Sequence, residues 1–308
     1  MKMISENYFL REVVMKVLNF GSLNIDYVYS VNDFVQKGET ISSDKLNVFS
    51  GGKGLNQSLA LSKAGVEVYH AGAIGEDGLL LEKLLRDNGV NTKFLRILSD
   101  VRTGNAIIQK NNEGDNCIIL YGGSNKAISK EMVDDALENF EKGDWLLLQN
   151  EISEIPYIVE KAYEKGMKIV LNPSPMNDRI FDINLNYIHC FILNEVEAEA
   201  LTEKSDDKEV LLKKLQEKFP HAEIILTLGE DGSLYVKNNE VIEQKAYKVN
   251  VVDTTAAGDT FTGYYLAERL NGKIVKDSLD TAAKAAAIAV SRNGAAPSIP
   301  QKDEVLNF

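Results

Sequence analysis

The sequence predicts an α/β protein with a central, mostly parallel sheet flanked by helices and a small β lid beside it. Three observations carry this reading. Short aliphatic runs alternate with segments of helical periodicity along most of the 308 residues, the pattern of a parallel sheet covered on both faces. Two stretches, 27–49 and 92–121, hold strand-like segments with no helix between them. Hydrophobic residues at 44% and charged residues at 26% are ordinary for a folded chain and argue against long disordered tracts.

The first strand is expected at 16–20 (KVLNF), closed by Gly21. Residues 1–14 fit no strand or capped helix and read as an N-terminal appendage to one main domain over 15–308. Further strands follow at 71–75 (AGAIG), 145–149 (WLLLQ), 168–173 (KIVLNP), 190–194 (CFILN) and 224–229 (IILTLG), each a short apolar run. Helical patterns fill 54–64, 78–88, 129–140, 153–165, 207–218, 257–270 and 277–292. Alternation from Thr103 to Lys110 suggests an antiparallel ribbon. With six prolines in all and no Pro-, Gly- or Ser-rich linker, the lid is inserted rather than tethered.

A net charge of −12 opposes a grip on phosphate backbones, so nucleic acid is not an expected partner. No apolar run approaches the roughly 20 residues that span a bilayer. Glu6, Arg11 and Glu12 stand where a signal peptide needs an apolar stretch, so a cytoplasmic protein with no membrane partner is expected. Cys117 and Cys190 lack CxxC spacing and read as two buried free thiols. His70, His189 and His221 are isolated, which gives no metal pair and no histidine-based catalysis.

The richest segment is Asp253 to Phe261 (DTTAAGDTF), where an extended run enters the helix at 257–270. Small residues at such a junction leave backbone N–H groups bare beside the positive end of the helix dipole, a site for phosphoryl oxygens. Ala256, Ala257 and Gly258 permit close approach, and Asp259 in the first turn is placed to take a proton from an attacking hydroxyl. An ordinary helix cap with a dipole-satisfying Asp gives the same string. At 50–57 (SGGKGLNQ) glycines again feed a helix, without the GKS or GKT of a Walker loop. There Gly52 permits close backbone approach, Lys53 offers a charge and Asn56 a donor with an acceptor, a set suited to the hydroxyls of a small polar molecule; a plain tight turn is the alternative.

The first strand runs into Gly21 to Asp26 (GSLNID), which places Asn24 and Asp26 beyond a carboxyl end, where open α/β sheets bind ligands. The absence of GxGxxG removes the main support for a nicotinamide oxidoreductase. Asn194 and Glu197, after the strand at 190–193, suit Mg²⁺ through water, and an acidic helix N-terminus explains them equally. Thr227 to Gly232 (TLGEDG) is a glycine-bounded turn that as a hairpin needs no function.

Together, GSLNID at 21–26, GGKGLNQ at 51–57, GGSNKAIS at 122–129, NPSP at 172–175, NEVE at 194–197, TLGEDG at 227–232 and DTTAAGDTF at 253–261 resemble the ribokinase (PfkB-type) carbohydrate kinases from about Val17 to the C-terminus. The resemblance implies ATP-dependent phosphorylation of a sugar hydroxyl, most simply that of D-ribose, with Asp259 as base and the backbone of 256–259 as anion hole. It implies that Asn24, Asp26, Gly52, Lys53, Asn56 and Glu151 hold the sugar. The nucleotide would be lined by Asn194 and the 227–232 turn, comprising Thr227, Leu228, Gly229, Glu230, Asp231 and Gly232, with Gly258. Asn194 and Glu197 would place Mg²⁺, and Asp253, Thr255, Ala289, Arg292, Gly294 and Ser298 fall where the family binds K⁺. A homodimer paired through the lid strands is implied as well.

Asn105 and Asn150 stand where this family is commonly apolar, and they add polarity near the expected sugar pocket. They leave open another pentose, fructose or a nucleoside as acceptor. A non-catalytic sugar or nucleotide sensor is the reading from a different class, opposed by the intact Asp259.

Overall fold

Five-residue aliphatic runs are too short for a helix, and where both faces are covered every residue in them is buried. Trp145–Gln149 is buried throughout, with Leu146 and Leu148 in one core layer and Trp145 and Leu147 in the other. The computed structural model describes residues 15–113, 115–205 and 207–308. The expected appendage at 1–14 lies outside the described residues. Among these residues no helix is long and apolar enough to cross a membrane.

In chain order the strands are β1 (Val17–Phe20), β2 (Asn24–Ser30), β3 (Lys45–Gly51), β4 (Val68–Gly75), β5 (Asn91–Leu98), β6 (Gly104–Lys110) and β7 (Asn116–Tyr121). They continue as β8 (Trp145–Gln149), β9 (Lys168–Asn172), β10 (Cys190–Asn194), β11 (Glu223–Thr227), β12 (Ser233–Lys237) and β13 (Glu240–Gln244). The α-helices are α1 (Lys53–Lys63), α2 (Leu79–Asp87), α3 (Lys130–Leu137), α4 (Ile155–Glu164), α5 (Glu195–Leu201) and α6 (Lys208–Lys218). After the sheet come α7 (Ala257–Leu270), α8 (Val275–Val290) and α9 (Lys302–Leu306).

The main sheet has nine strands in the order β13-β12-β11-β10-β9-β8-β1-β4-β5. From β11 through β5 the neighbours run parallel, and β12 and β13 add an antiparallel hairpin at one edge. The chain leaves β1 toward β4 and later returns on its other side as β8, so strand order reverses there. Crevices at such switch points, outside the carboxyl ends, are where α/β sheets bind ligands. Helices α3 to α6 pack one face, and α1, α2, α7 and α8 the other.

A separate sheet runs β3-β2-β6-β7, with β2 parallel to β6 and antiparallel to β3. It comes from the regions expected to form the lid, with one correction. Residues 91–98 belong to the main sheet, pairing parallel with β4 from Ala71↔Phe94 to Gly75↔Leu98. Helix α2 makes this a β-α-β crossover, and Phe94 and Leu95 bury side chains in opposite core layers, as a covered strand must. Cys117 is a second correction: it is exposed, while Cys190 is buried, because every residue of β7 is exposed on an outer strand.

Candidate active site

The carboxyl ends of β1, β8, β9, β10 and β11 deliver polar residues to one edge of the sheet. The turn after β1 lies flush against the start of α1. A Cβ on Gly54 would stand 2.4 Å from Ser22 N and 2.5 Å from Gly21 Cα, so the GGKG segment is glycine-bound by close backbone approach. Gly54 N donates to Ser22 Oγ at 3.2 Å, and Lys53 N donates to Glu151 Oε2 at 3.0 Å. Ser22 Oγ also donates to Glu151 Oε2. Glu151 is thereby fixed over the entrance of α1.

Asn24 opens β2, and its Oδ1 accepts from Asn125 Nδ2 at 2.8 Å. Asn125 is held by the backbone of Leu23 on both its amide atoms. The Asp26 carboxylate lies over Gly51, where a Cβ would meet Oδ2 at 2.1 Å. Burial first, and then the Glu151 carboxylate, raise the pKa of Asp26 to about 6, since both disfavour a further negative charge. Asn24 and Glu151 line a cavity of about 480 Å³ with Asn125, Lys126, Asn150 and Arg179. Asn150 donates to Pro175 O at 2.9 Å and Asn105 to Thr103 O at 3.2 Å, so both unusual asparagines are satisfied locally.

Asp259 sits in the first turn of α7 and is buried. Its Oδ2 accepts from Asn56 Nδ2 at 3.0 Å and its Oδ1 from Gln57 Nε2 at 2.9 Å. Gln57, bonded to Asp259 and Asn172, and Asn125, bonded to Asn24, are neighbours of the site that the sequence analysis did not single out. Only its place beside Asn56 signalled Gln57.

A second cavity, of about 190 Å³, gathers Lys53, Asn172, Asn194, Glu197, Thr227, Thr254, Ala256, Ala257, Gly258, Asp259 and Thr262. The expected anion hole needs one correction. Ala257 N already donates to Thr254 O at 3.2 Å, because Ala256 at φ 59 turns the chain back on itself. The N–H of Ala256 at the cap and those of Gly258 and Asp259 remain, the last two as first-turn donors without intrahelical acceptors. A Cβ on Gly258 would meet nothing within 4 Å, so this end of α7 is open.

Asn194 and Glu197 form a reciprocal cap on α5. Glu197 N donates to Asn194 Oδ1 at 2.9 Å, and Asn194 N to Glu197 Oε2 at 3.0 Å. Their oxygens face the cavity edge but are already shared, which fits contact with Mg²⁺ through water rather than direct ligation. Among the described residues no group of three or more His, Cys, Asp or Glu is placed to hold a metal.

Of the 227–232 turn, only Thr227 lines this cavity. Leu228 packs its side chain into the core. Its N–H donates to Gly232 O at 2.8 Å, closing the β11–β12 hairpin. Glu230 and Asp231 are exposed on that turn, and Asp231 pairs with Lys208.

Asp253 joins two distant segments. Its Oδ1 accepts from Thr255 N at 2.9 Å and Oγ1 at 2.6 Å, and its Oδ2 from Gly294 N at 3.0 Å. Burial pushes its pKa up, but these hydrogen bonds outweigh that and hold it below the ordinary range. Ala289 O accepts from Arg292 N at 3.1 Å, and Ser298 Oγ donates to Ala295 O at 2.7 Å. The Arg292 side chain turns to Glu304 at 2.5 Å, leaving its backbone alone for any cation. Asp253 thus presents an anionic oxygen beside Thr255 and Gly294, a donor of the kind that fits K⁺.

The family model of the pfkB family carbohydrate kinases matches residues 15–302. The chain belongs to the pfkB family of carbohydrate kinases. The ribokinase of Haemophilus influenzae is 33% identical over 297 residues, covering 94% of this chain and 96% of that one. The structure of Cryptococcus neoformans ribokinase in complex with ADP superposes with a TM-score of 0.85 at 33% identity, over 95% of this chain and 99% of that one. Arabidopsis thaliana ribokinase complexed with ribose and ATP gives a TM-score of 0.86 at 29% identity, over 96% of this chain and 98% of that one. As a pfkB-family kinase the chain is a phosphotransferase with an alcohol group as acceptor, and the cavity shared by Asp259 and the α7 N-terminus has the chemistry such a transfer needs.

Proposed function

We propose that this chain transfers the γ-phosphoryl group of ATP to the primary hydroxyl of D-ribose, giving ribose 5-phosphate and ADP, with Asp259 as general base. The observation that carries the reading is that Asp259 and the open N–H groups of Gly258 and Asp259 share one helical turn facing one cavity. Phosphoryl transfer passes through a loose transition state, so positioning and stabilisation of charge are the main contributions a protein makes. Asp259 takes the hydroxyl proton as the oxygen attacks, while the two N–H groups receive charge on the transferring oxygens.

In this reading Asn24, Asp26, Gly52, Lys53, Asn56 and Glu151 hold the sugar. Asn56 Oδ1 supports it: it is buried without a partner among the described residues, an acceptor that a ligand hydroxyl satisfies. Asn194, Thr227, Gly229 and Gly232 flank the nucleotide. Mg²⁺, when bound, neutralises charge between the phosphoryl groups, and Asn194 and Glu197 would hold it through water. Asp253 with Thr255, Ala289, Arg292, Gly294 and Ser298 would hold K⁺ against the loop that shapes the anion hole. The four-stranded sheet serves as lid and dimer contact, which its exposed Val48, Phe49, Ile107, Ile118, Ile119 and Leu120 support. A monomer on sedimentation would contradict the dimer.

The experiment is ATP-dependent ADP release across ribose, deoxyribose, fructose and several nucleosides, with and without K⁺. Preference for ribose with stimulation by K⁺ is the expected result. Preference for another acceptor would keep the chemistry and overturn the substrate. Silence on every acceptor would favour a sensor.

A further inference from the structure

Behind Asp259 runs a chain of buried amides, of which Asn172 alone lines the cavity that holds Asp259. Gln57 Nε2 donates to Asp259 Oδ1 at 2.9 Å and to Asn172 Oδ1 at 3.1 Å. Gln57 Oε1 accepts from Gln149 Nε2 at 2.7 Å, and the same Gln149 nitrogen donates to Asn19 Oδ1 at 2.9 Å. Asn19 Nδ2 donates to Gly54 O at 2.7 Å and to Ser58 Oγ at 2.8 Å. Ser58 Oγ lies 2.8 Å from Nδ1 of His70. Asn19, Gln57, Ser58 and His70 are fully buried, and Gln149 is 1% exposed.

The orientation of every amide in this chain follows from two backbone carbonyls, which can only accept. Gly54 O obliges Asn19 to present its NH₂ there, so the Asn19 oxygen faces Gln149. Gln149 must then present its NH₂ to Asn19, and that nitrogen meets the oxygen of Gln57. At the other end Asn172 Nδ2 donates to Ile192 O at 2.9 Å, so Asn172 also turns its oxygen to Gln57. Both constraints leave the Gln57 NH₂ aimed at Asp259. Ser58 accepts from Asn19 and so gives its own proton to His70 Nδ1, consistent with a neutral imidazole whose pKa burial pushes down to about 4. The far end of the chain therefore brings no cation to compete for these orientations.

We infer that Gln57 is a positioning residue: its amide, locked in one orientation from Gln149 and Asn172, holds the Asp259 carboxylate aimed at the acceptor hydroxyl. The inference rests on Asp259 as the base. With Asn56, Gln57 surrounds the carboxylate with donors alone. A protonated carboxyl needs an acceptor for its hydrogen, and turning the Gln57 oxygen toward it would set NH₂ against NH₂ at Gln149. The relay thus restricts the rotation of the Asp259 carboxylate.

The test compares the parent with Gln57→Met and Gln149→Met, near-isosteric changes that keep side-chain volume, each checked for folding by its melting temperature. Two readouts are taken: steady-state kinetics on ribose and ATP, and the pH titration of the Asp259 carboxyl carbon followed by ¹³C NMR. Gln57→Met is expected to lower kcat by about 10- to 100-fold with KM for ribose within about twofold, as for a group acting through the base. Its carboxyl titration is expected to differ from the parent's, because a donor to the carboxylate is gone. Gln149→Met, which frees the Gln57 amide to rotate, shifts both readouts in the same direction by less. If Gln57→Met does not fold, Gln149→Met decides. Folded variants with an unmoved titration, or with kcat and KM changed alike, would overturn the positioning role. A parent silent on every sugar would remove Asp259 as the base and the catalytic half of the inference, while the titration still decides whether Gln57 holds the carboxylate.

Discussion

Asn56 Nδ2 reaches Asp259 Oδ2 at 3.0 Å across 203 residues of chain, while its Oδ1 has no partner among the described residues. One side chain thus has a donor committed to the base and an acceptor held for the ligand. Asn56→Leu removes both at similar volume. We expect KM for ribose to rise about 10-fold and kcat to fall about 10-fold, since each lost charge-linked or buried hydrogen bond is worth about 1.5–3 kcal/mol. Steady-state kinetics separates the two effects.

Asp26 makes binding and stability depend on pH. Its folded pKa, about 6, exceeds the ordinary carboxylate value, so the fold favours the protonated form. The associated stability is fully present below about pH 4 and is lost as pH rises through 6. Asp26→Asn should therefore stabilise the protein at pH 7–8, by on the order of 1–3 kcal/mol, and the gain should vanish near pH 4. Thermal melts across that range check the sign. In the parent, KM for ribose should rise below about pH 6 as Asp26 loses its charge.

Ala256 adopts φ 59, a left-handed conformation that costs an L-residue about 1–2 kcal/mol. Ala256→Gly relieves this while adding about 0.4–1 kcal/mol of unfolded-state entropy. A small net stabilisation is expected, with kcat lower by several-fold because the loop that orients the Gly258 and Asp259 N–H groups is freer. Melting temperature and kcat moving in opposite directions would support the account.

Asp253 ties Thr255 to Gly294, so Asp253→Ala both removes the anionic ligand proposed for K⁺ and unlinks the two segments. ADP release should become indifferent to K⁺ and fall to the level of the parent in K⁺-free buffer or below. Retained stimulation by K⁺ would place the cation elsewhere.

The parallel strands were legible because a strand covered on both faces is a short unbroken aliphatic run, as at 145–149 and 190–194. The α7 entrance was legible because small residues before an apolar helix expose its donors. Residues 91–98 were misplaced because Asn91, Lys93 and Arg96 interrupt the run at the sheet's edge, where full burial ends. The β12–β13 hairpin was signalled by Asn238 and Asn239, both at positive φ, a turn signature that the reading did not use. Beyond its place beside Asn56, Gln57 had no local signal. Its partners Asp259 and Asn172 lie 202 and 115 residues away, and an amide's role is set by what the fold brings to it.

The central claim is that Asp259 is the base for sugar phosphorylation, and the most direct measurement is single-turnover phosphoryl transfer to ribose by Asp259→Asn beside the parent, with sugar and nucleotide binding measured by calorimetry. The account predicts a rate lower by about 10²- to 10⁴-fold with both ligands still bound within several-fold. A variant that transfers phosphate at a rate near the parent's would contradict it.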